Sequence, residues 1–364
     1  MVKKRIDLRD VAALAGVSLG SASRTINGAA YVSKETRERV ERAIGLLGYR
    51  PSHAARALRS RSSKTIGCML SEATNPLYAR LFQAMEERLR AEGYVLLLAT
   101  GLNNAERELE TLQLFAERGM DGMILTPGNE RDHRIVDFLN TSDMPTVILD
   151  RDIETGKDVV LFNHTPAVKR ITRELLNLGH RRIALLVSRV DVRPNRRRIE
   201  AFKAAMREFG ETASAVSIHL QTTSTSSTFD EVVGLLKGPA PPTALMVQGT
   251  NTLLSVLNAI AAAGLRIPDD ISIISIGDPD FARTHVPPIS ALKVSTEAIV
   301  ERTVELLMNR IKGDRAASPQ RALVQFDFEK RQSCAAPNAA SSPHLHESAS
   351  KARSAMPSRR QLRQ

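Results

Sequence analysis

Hydrophobic and polar positions fall into distinct regimes along the chain. Val11, Leu14 and Ala15 lie at helical spacing, and Val40, Ala43, Ile44 and Leu47 form an i, i+3, i+4, i+7 stripe. Asp7 can cap the first of these helices, with Asp10 three residues on in a capping-box arrangement, and Gly16 ends it. After a tight Ala15-Gly16-Val17 turn, Ser18 suits the N-cap of a second helix running to about Ile26. The third opens at Ser33 and stops at Gly48. Two short helices joined by a glycine-containing turn and braced by a third predict a helix-turn-helix over residues 1–50.

The segment PSHAARALRSR, from Pro51 to Arg61, is too short to be stable as an isolated helix. It reads either as a linker or as a helix that forms only against a partner. From Thr65 the pattern changes. TIGCML, YVLLLA, GMILT, TVILD, IALLV, ALMV and ISIISI read as buried strands. Between them Pro76–Glu92, Glu106–Glu117, Val168–Leu178 and Ile199–Phe209 have helical spacing. Strand and helix alternating in this way predict an α/β fold of parallel sheets covered by helices on both faces. Residues 64–332 are long enough for two lobes. Beyond Arg331 the periodicity stops, and residues 333–364, rich in Ala, Ser and Pro, read as a disordered basic tail without a leucine heptad.

Charge sharpens this division. The chain of 364 residues has a formal net charge of +11, but residues 1–63 hold 13 Lys/Arg against 5 Asp/Glu. Residues 333–364 hold 5 against 1, so the long middle segment is close to neutral. A basic head on a neutral body is the footprint of a polyanion-binding module, although a solubilising surface would look similar. No apolar run approaches the roughly 20 residues that span a bilayer, and the basic start lacks the apolar stretch of a secretory signal. Cys68 and Cys334 suggest neither a disulfide framework nor a metal site, so a cytoplasmic protein with no cofactor is expected.

Gly16-Val17-Ser18-Leu19-Gly20 fits the G-x-S-x-G pattern of a hydrolase nucleophile elbow. That motif needs a buried strand before the serine, whereas a capped helix precedes it here. His164 and His180 have no identifiable Ser or Cys partner, and no phosphate-loop pattern occurs. An enzyme is therefore not expected.

The stretch DVAALAGVSLGSASRTINGAAYVSKETRERVERAIGLLGYRPSHAARALRS resembles the DNA-binding head of the lactose/galactose repressor family of bacterial transcription regulators. NPLYARL, RGMDGMIL, ELLNLGHRRIALL, LRIPDDISIISIGD and PPISALKVSTEAI continue the resemblance through residues 6–332. It implies a head, a hinge helix over 51–63 and a periplasmic-binding-protein-like core crossed three times by the chain. Lobe 1 would then comprise about 64–162 and 293–324, and lobe 2 about 163–292 and 325–332. The resemblance further implies a homodimer on pseudo-palindromic double-stranded operator DNA, acting as a repressor. A small-molecule effector between the lobes would control operator affinity, as inducer or corepressor.

At the DNA, the second helix would present Leu19, Gly20, Ser21, Arg24 and Asn27, with Arg24 matching the family's base-contacting arginine. Ser18, Ser33 and Thr36 read as caps and phosphate contacts. Leu58 matches the family's minor-groove wedge, and His53, Ala55 and Arg56 suit the contacts beside it. Ser52 departs from the asparagine that many members carry there. In the core, Asn75, Asp150, Arg151, Thr250 and Asp278, just beyond strand ends, are effector candidates. The resemblance also implies Tyr78, where the family places an aromatic, and Arg198, which matches its arginine that grips polar ligand groups. Two departures bear on the ligand. Gly249-Thr250 stands where the family often has Asn-Asp, and Gly277-Asp278 where it has an Asp pair. Loss of carboxylates that accept sugar hydroxyls favours an acidic or more apolar effector over a neutral sugar. Two rival readings remain at this stage. One is a nucleoid-type protein without sequence preference, which would need no cleft. The other is a plain solute-binding protein, which would need no basic head.

Overall fold

The computed structural model describes residues 6–26, 31–49, 62–210, 216–221, 225–313 and 317–338. Asn27, the hinge residues His53, Ala55, Arg56 and Leu58, and the tail beyond residue 338 lie outside the described residues, as does the side chain of Thr250. The chain divides into two compact units, residues 1–65 with Gly119–Asp121 and the remainder.

The first unit contains α1 (Leu8–Ala15), α2 (Leu19–Ile26) and α3 (Lys34–Leu47). The Asp7 carboxylate accepts from the backbone N–H groups of Arg9 and Asp10, and Asp10 returns the bond to the Asp7 N–H, closing the capping box. Gly16 and Gly48 take left-handed conformations at the ends of α1 and α3, where a Cβ would be strained. Val11, Ala12, Ala15, Ala22, Val40 and Ala43 form the centre of this unit. Val11 and Ala15 are buried as their spacing implies, but Leu14 is exposed and Ala12 is buried instead. Alanine suits the crossing because α1 contacts both α2 and α3 and leaves little room.

The second unit holds two six-stranded sheets. The first comprises β1 (Thr65–Leu70), β2 (Val95–Thr100), β3 (Gly122–Leu125), β4 (Thr146–Leu149), β5 (Asp158–Phe162) and β11 (Arg321–Val324), in the order β11-β5-β4-β3-β1-β2. Its helices are α4 (Pro76–Ala91), α5 (Ala105–Glu117), α6 (His133–Thr141) and α12 (Thr296–Lys312). The second sheet comprises β6 (Ile183–Ser188), β7 (Val216–Gln221), β8 (Ala244–Gln248), β9 (Ser272–Ile276), β10 (Ser290–Val294) and β12 (Phe326–Glu329), in the order β12-β10-β9-β8-β6-β7. With it go α7 (His164–Asn177), α8 (Arg193–Glu208), α9 (Thr225–Leu236), α10 (Thr250–Ala262) and α11 (Asp280–Thr284). Pairing is parallel except at β12, which runs antiparallel to β10. The all-parallel expectation fails at that one edge because β12 enters from the other sheet through a single residue.

The chain passes between the sheets at three points, Asn163, Ser295 and Gln325, each lying between consecutive elements of different sheets. Two of them are tied together, since Asn163 Nδ2 donates to Gln325 Oε1 at 2.8 Å. The inner strands are buried almost throughout, as parallel strands covered on both faces must be, whereas the edge strands β2, β11 and β12 are largely exposed or half-buried. The expected tail boundary at residue 333 is too early. Ser333 is fully buried, donating to Ile273 O and accepting from Ser290 N, and Ala335 N donates to Ser272 Oγ. These polar bonds leave no apolar periodicity, so the strap reads as tail in the sequence.

Candidate nucleic-acid interface and effector cleft

In the head, Ser18 Oγ accepts from Ser21 N at 3.1 Å, which caps α2 and fixes its start. Ser18, Leu19, Gly20 and Arg24 are exposed, and Ser21 is half-buried. Arg24 Nη2 reaches back to Ser21 Oγ at 3.5 Å, placing a guanidinium beside the first turn. Ala22 and Thr25, on the opposite face, are buried. The helix thus shows one packed face and one face of polar groups with a single exposed leucine. Ser33 caps α3, accepting from Thr36 N at 3.3 Å and donating to Thr36 Oγ1 at 2.9 Å. Gly16-Val17-Ser18-Leu19-Gly20 therefore lies between two helices, without the strand that a nucleophile elbow requires.

In the second unit, a cavity of about 210 Å³ lies between the two sheets. Its lining brings together Asn75, Tyr78, Asp150, Arg151, Arg198 and Asp278. Among the wall residues not picked from the sequence are Asn195, in the first turn of α8, and Gln248, the last residue of β8. Gln248 could have been found from its position at a strand end. Asn195 carried no signal apart from its place three residues before Arg198.

The expected residues do different work. Asn75 caps α4, its Oδ1 accepting from Leu77 N at 3.0 Å. Tyr78 is half-buried, with Arg151 Nη2 donating to its hydroxyl at 3.4 Å. Asp150 is a buried hub rather than an open acceptor. Its Oδ1 accepts from Phe162 N at 3.1 Å and Arg193 Nη1 at 2.5 Å, and its Oδ2 lies 2.7 Å from His164 Nε2. Burial opposes ionisation of Asp150, but the neighbouring His164 and Arg193 outweigh it and hold the carboxyl at about 2. His164 is itself depressed to about 4, first by burial.

Asp278 is likewise committed. It lies 2.9 Å from Arg283 Nη2 and 2.8 Å from Arg331 Nη1. Burial opposes its charge, but hydrogen bonds from those two arginines keep its pKa below the ordinary carboxylate value. Arg198 is the converse case. Its Nε is buried with no hydrogen-bond partner, and burial draws its pKa down to about 10 although Asp150 opposes this. The cleft therefore holds two carboxylates paired with basic groups, of which Asp278 keeps one oxygen without a hydrogen bond, and one arginine whose buried Nε lacks a partner.

A band of ion pairs joins the two sheets beside the cavity. Glu130, which follows β3 and whose side chain is fully buried, accepts from Arg193 N at 2.8 Å and binds Arg196 Nη2. Asp152, after β4, lies 3.2 Å from Arg193 Nε and 3.5 Å from Arg197 Nη2. Carboxylates of one lobe thus grip the first turns of a helix in the other.

Two family descriptions match the chain. Residues 7–52 match bacterial regulatory proteins, lacI family, and residues 172–334 match a periplasmic binding protein-like domain. The ribose operon repressor of Haemophilus influenzae is 31% identical over 309 residues, covering 84% of this chain and 92% of that protein. The HTH-type transcriptional repressor PurR of Photobacterium profundum is 29% identical over 307 residues, with the same coverage of 84% and 92%. Among solved structures, the Lac repressor dimer bound to operator and the anti-inducer ONPF superposes with a TM-score of 0.79. It is 24% identical, over 92% of this chain and 100% of that one, a likeness of fold. The transcriptional regulator CelR in complex with cellobiose is 27% identical, with a TM-score of 0.66 over 90% of this chain and 100% of that one.

Proposed function

We infer how this chain works from the family to which it belongs, the lacI family of bacterial regulatory proteins. It is a DNA-binding transcription repressor whose operator affinity is set by a small molecule bound in its periplasmic-binding-protein-like domain. The observation that carries the DNA reading is the outer face of α2, where Leu19, Ser21 and Arg24 stand beside a capped first turn. In this reading Arg24 contacts a guanine and Leu19 a thymine methyl, while Ser18, Ser33 and Thr36 hold phosphates. Asn27 and the hinge residues His53, Ala55, Arg56 and Leu58 complete the contacts, with Leu58 as the minor-groove wedge.

The effector occupies the cavity between the two sheets and is acidic rather than a neutral sugar. Supporting this, Arg198 offers a buried donor without a partner, while Asp150 and Asp278 already hold basic partners. Effector binding shifts the balance between lobe arrangements, and only its differential affinity for them can change operator affinity.

The working unit is a homodimer in the cytoplasm, joined through the edge of the first sheet. There β2 exposes Val95, Leu97 and Leu98, and Leu102 and Leu114 follow on neighbouring segments. An exposed apolar edge strand invites pairing, and a second copy is the partner that a pseudo-palindromic site calls for. Among the described residues, no helix is long and apolar enough to cross a membrane.

The test is genome-wide binding of the purified protein to sheared host DNA at near-physiological salt. A two-half-site motif near one helical turn in spacing is expected. Uniform binding with no motif would overturn the operator reading.

A further inference from the structure

We propose that the effector is a polyhydroxylated carboxylate, with its acid group on Arg198 and its hydroxyls on Asn195 and Gln248. The proposal rests on the cavity being the effector site and deepens that reading. Four buried polar atoms on its wall have no hydrogen-bond partner: Arg198 Nε, Asn195 Oδ1, Gln248 Oε1 and Asp278 Oδ1, the last held only by its ion pair with Arg331. Their demands differ. Arg198 offers a donor and a positive charge, whereas the two amide oxygens and Asp278 Oδ1 need donors.

The orientation of the Asn195 amide is fixed by its surroundings. Nδ2 donates to the carbonyl oxygens of Val190 at 2.8 Å and Ser188 at 3.2 Å. Turning the amide over would set oxygen against two oxygens, so Oδ1 must be the group left over. The residue is 4% exposed, which leaves the cavity as its source of a partner. Gln248 is less constrained, but a hydroxyl both donates and accepts and so meets either amide atom. Asn195 and Arg198 lie three residues apart on α8 and therefore share a helix face.

No simpler ligand meets all four demands. A plain carboxylate neutralises Arg198 and leaves both amide oxygens bare. A neutral sugar serves the amides and leaves a desolvated guanidinium whose nearby charge, Asp150, is already shared with His164 and Arg193. A carboxylate on a hydroxylated carbon chain or ring serves all of them, with Tyr78, Phe162 and Ile276 as apolar walls for its carbon face. The carboxylates that would repel such an acid are already engaged, Asp150 by His164 and Arg193 and Asp278 by Arg283 and Arg331. Glu72 also lines the cavity, half-buried, and burial pushes its pKa up, which lessens the repulsion.

Calorimetric titration of the full chain with D-gluconate, D-glucuronate, D-glucose and glutarate tests this. At least one hydroxy acid is expected to bind, with glucose and glutarate at least about tenfold weaker. Gln248→Leu should weaken that hydroxy acid about tenfold and leave glutarate unchanged, and Arg198→Gln should abolish binding of both acids, with circular dichroism confirming folded variants. Glutarate binding as tightly as the hydroxy acids would overturn the hydroxyl assignment and leave the acidic reading standing. Glucose binding as tightly would overturn both. Failure of all four probes at millimolar concentration would also overturn the proposal. Operator affinity, measured separately with and without the bound acid, keeps the regulatory reading distinct. Binding without any shift in operator affinity would retain the site and remove its role as effector site.

Discussion

The carboxylate of Glu130 accepts the backbone N–H of Arg193 at 2.8 Å, across the boundary between the two sheets of the core. Glu130 also pairs with Arg196, and its side chain is fully buried while that of Arg196 is 22% exposed. An acid placed this way has no water to fall back on if its partners leave. Closure of the cleft is therefore tied to the first turns of α8, the segment that also carries Asn195 and Arg198.

Glu130→Ala should open the cleft. The substitution leaves Arg196 without its buried partner and removes the acceptor of Arg193 N. The expected cost is about 2–4 kcal/mol of core stability. The closed state should also become less populated, so apparent effector affinity falls in proportion. Small-angle scattering of the effector-free protein should report a larger radius of gyration. An unchanged radius together with unchanged affinity would show that closure does not depend on this band.

Arg24→Ala should lower operator affinity about 30-fold or more, through loss of about 1–3 kcal/mol at one base pair in each of the two half-sites. Effector affinity should not change, because Arg24 belongs to the head. Binding measured against operators altered at single positions separates the readings. Loss of discrimination at one position marks a base contact, and a uniform loss with a shallower salt slope marks a phosphate contact.

Acidification should unfold the core through His164 and Asp150. His164 is depressed from 6.5 to about 4 by burial, against the pull of Asp150 and with that of Arg198 and Arg193. The unfolded chain thus takes up a proton that the folded chain refuses. Stability falls as pH drops from about 6.5 to about 4, by roughly 3 kcal/mol. Asp150 is depressed from 3.8 to about 2, so its contribution is lost at still lower pH. Thermal melts between pH 7 and 4 should fall steeply, and His164→Gln should flatten that slope. A wild-type melt that is flat over this range would contradict the assignment.

Local chemistry made the head legible in the sequence. The Asp7–Asp10 capping box, the Ser18 and Ser33 caps and the glycine stops at Gly16 and Gly48 all lie within a few residues of what they control. The uninterrupted apolar strands of the core were equally plain. The start of α8 was not. Its first turns bury Arg193, Pro194 and Asn195, so an apolar stripe becomes visible only from Ile199 although the helix begins at Arg193. Arg198 could be picked out beforehand, but its lack of a partner could not. That Asp150 serves Arg193 and Asp278 serves Arg331 depends on side chains 43 and 53 residues away. Pairings of that range are set by the sheet order and leave no trace in spacing.

The edge of the first sheet offers the last test. Val95, Leu97 and Leu98 are 54%, 42% and 43% exposed on β2, the end strand of its sheet. Three large apolar side chains on an unpaired edge would promote indiscriminate association unless a partner covers them. Leu97→Lys places a charge where a second copy would have to desolvate it, so sedimentation should shift from dimer to monomer. The fold of one protomer should be untouched, because Leu97 contributes little to the buried core. Operator affinity should fall by about 100-fold or more, since the two half-sites would no longer be engaged as one linked event. A variant that stays dimeric with full operator affinity would place the dimer contact on another face.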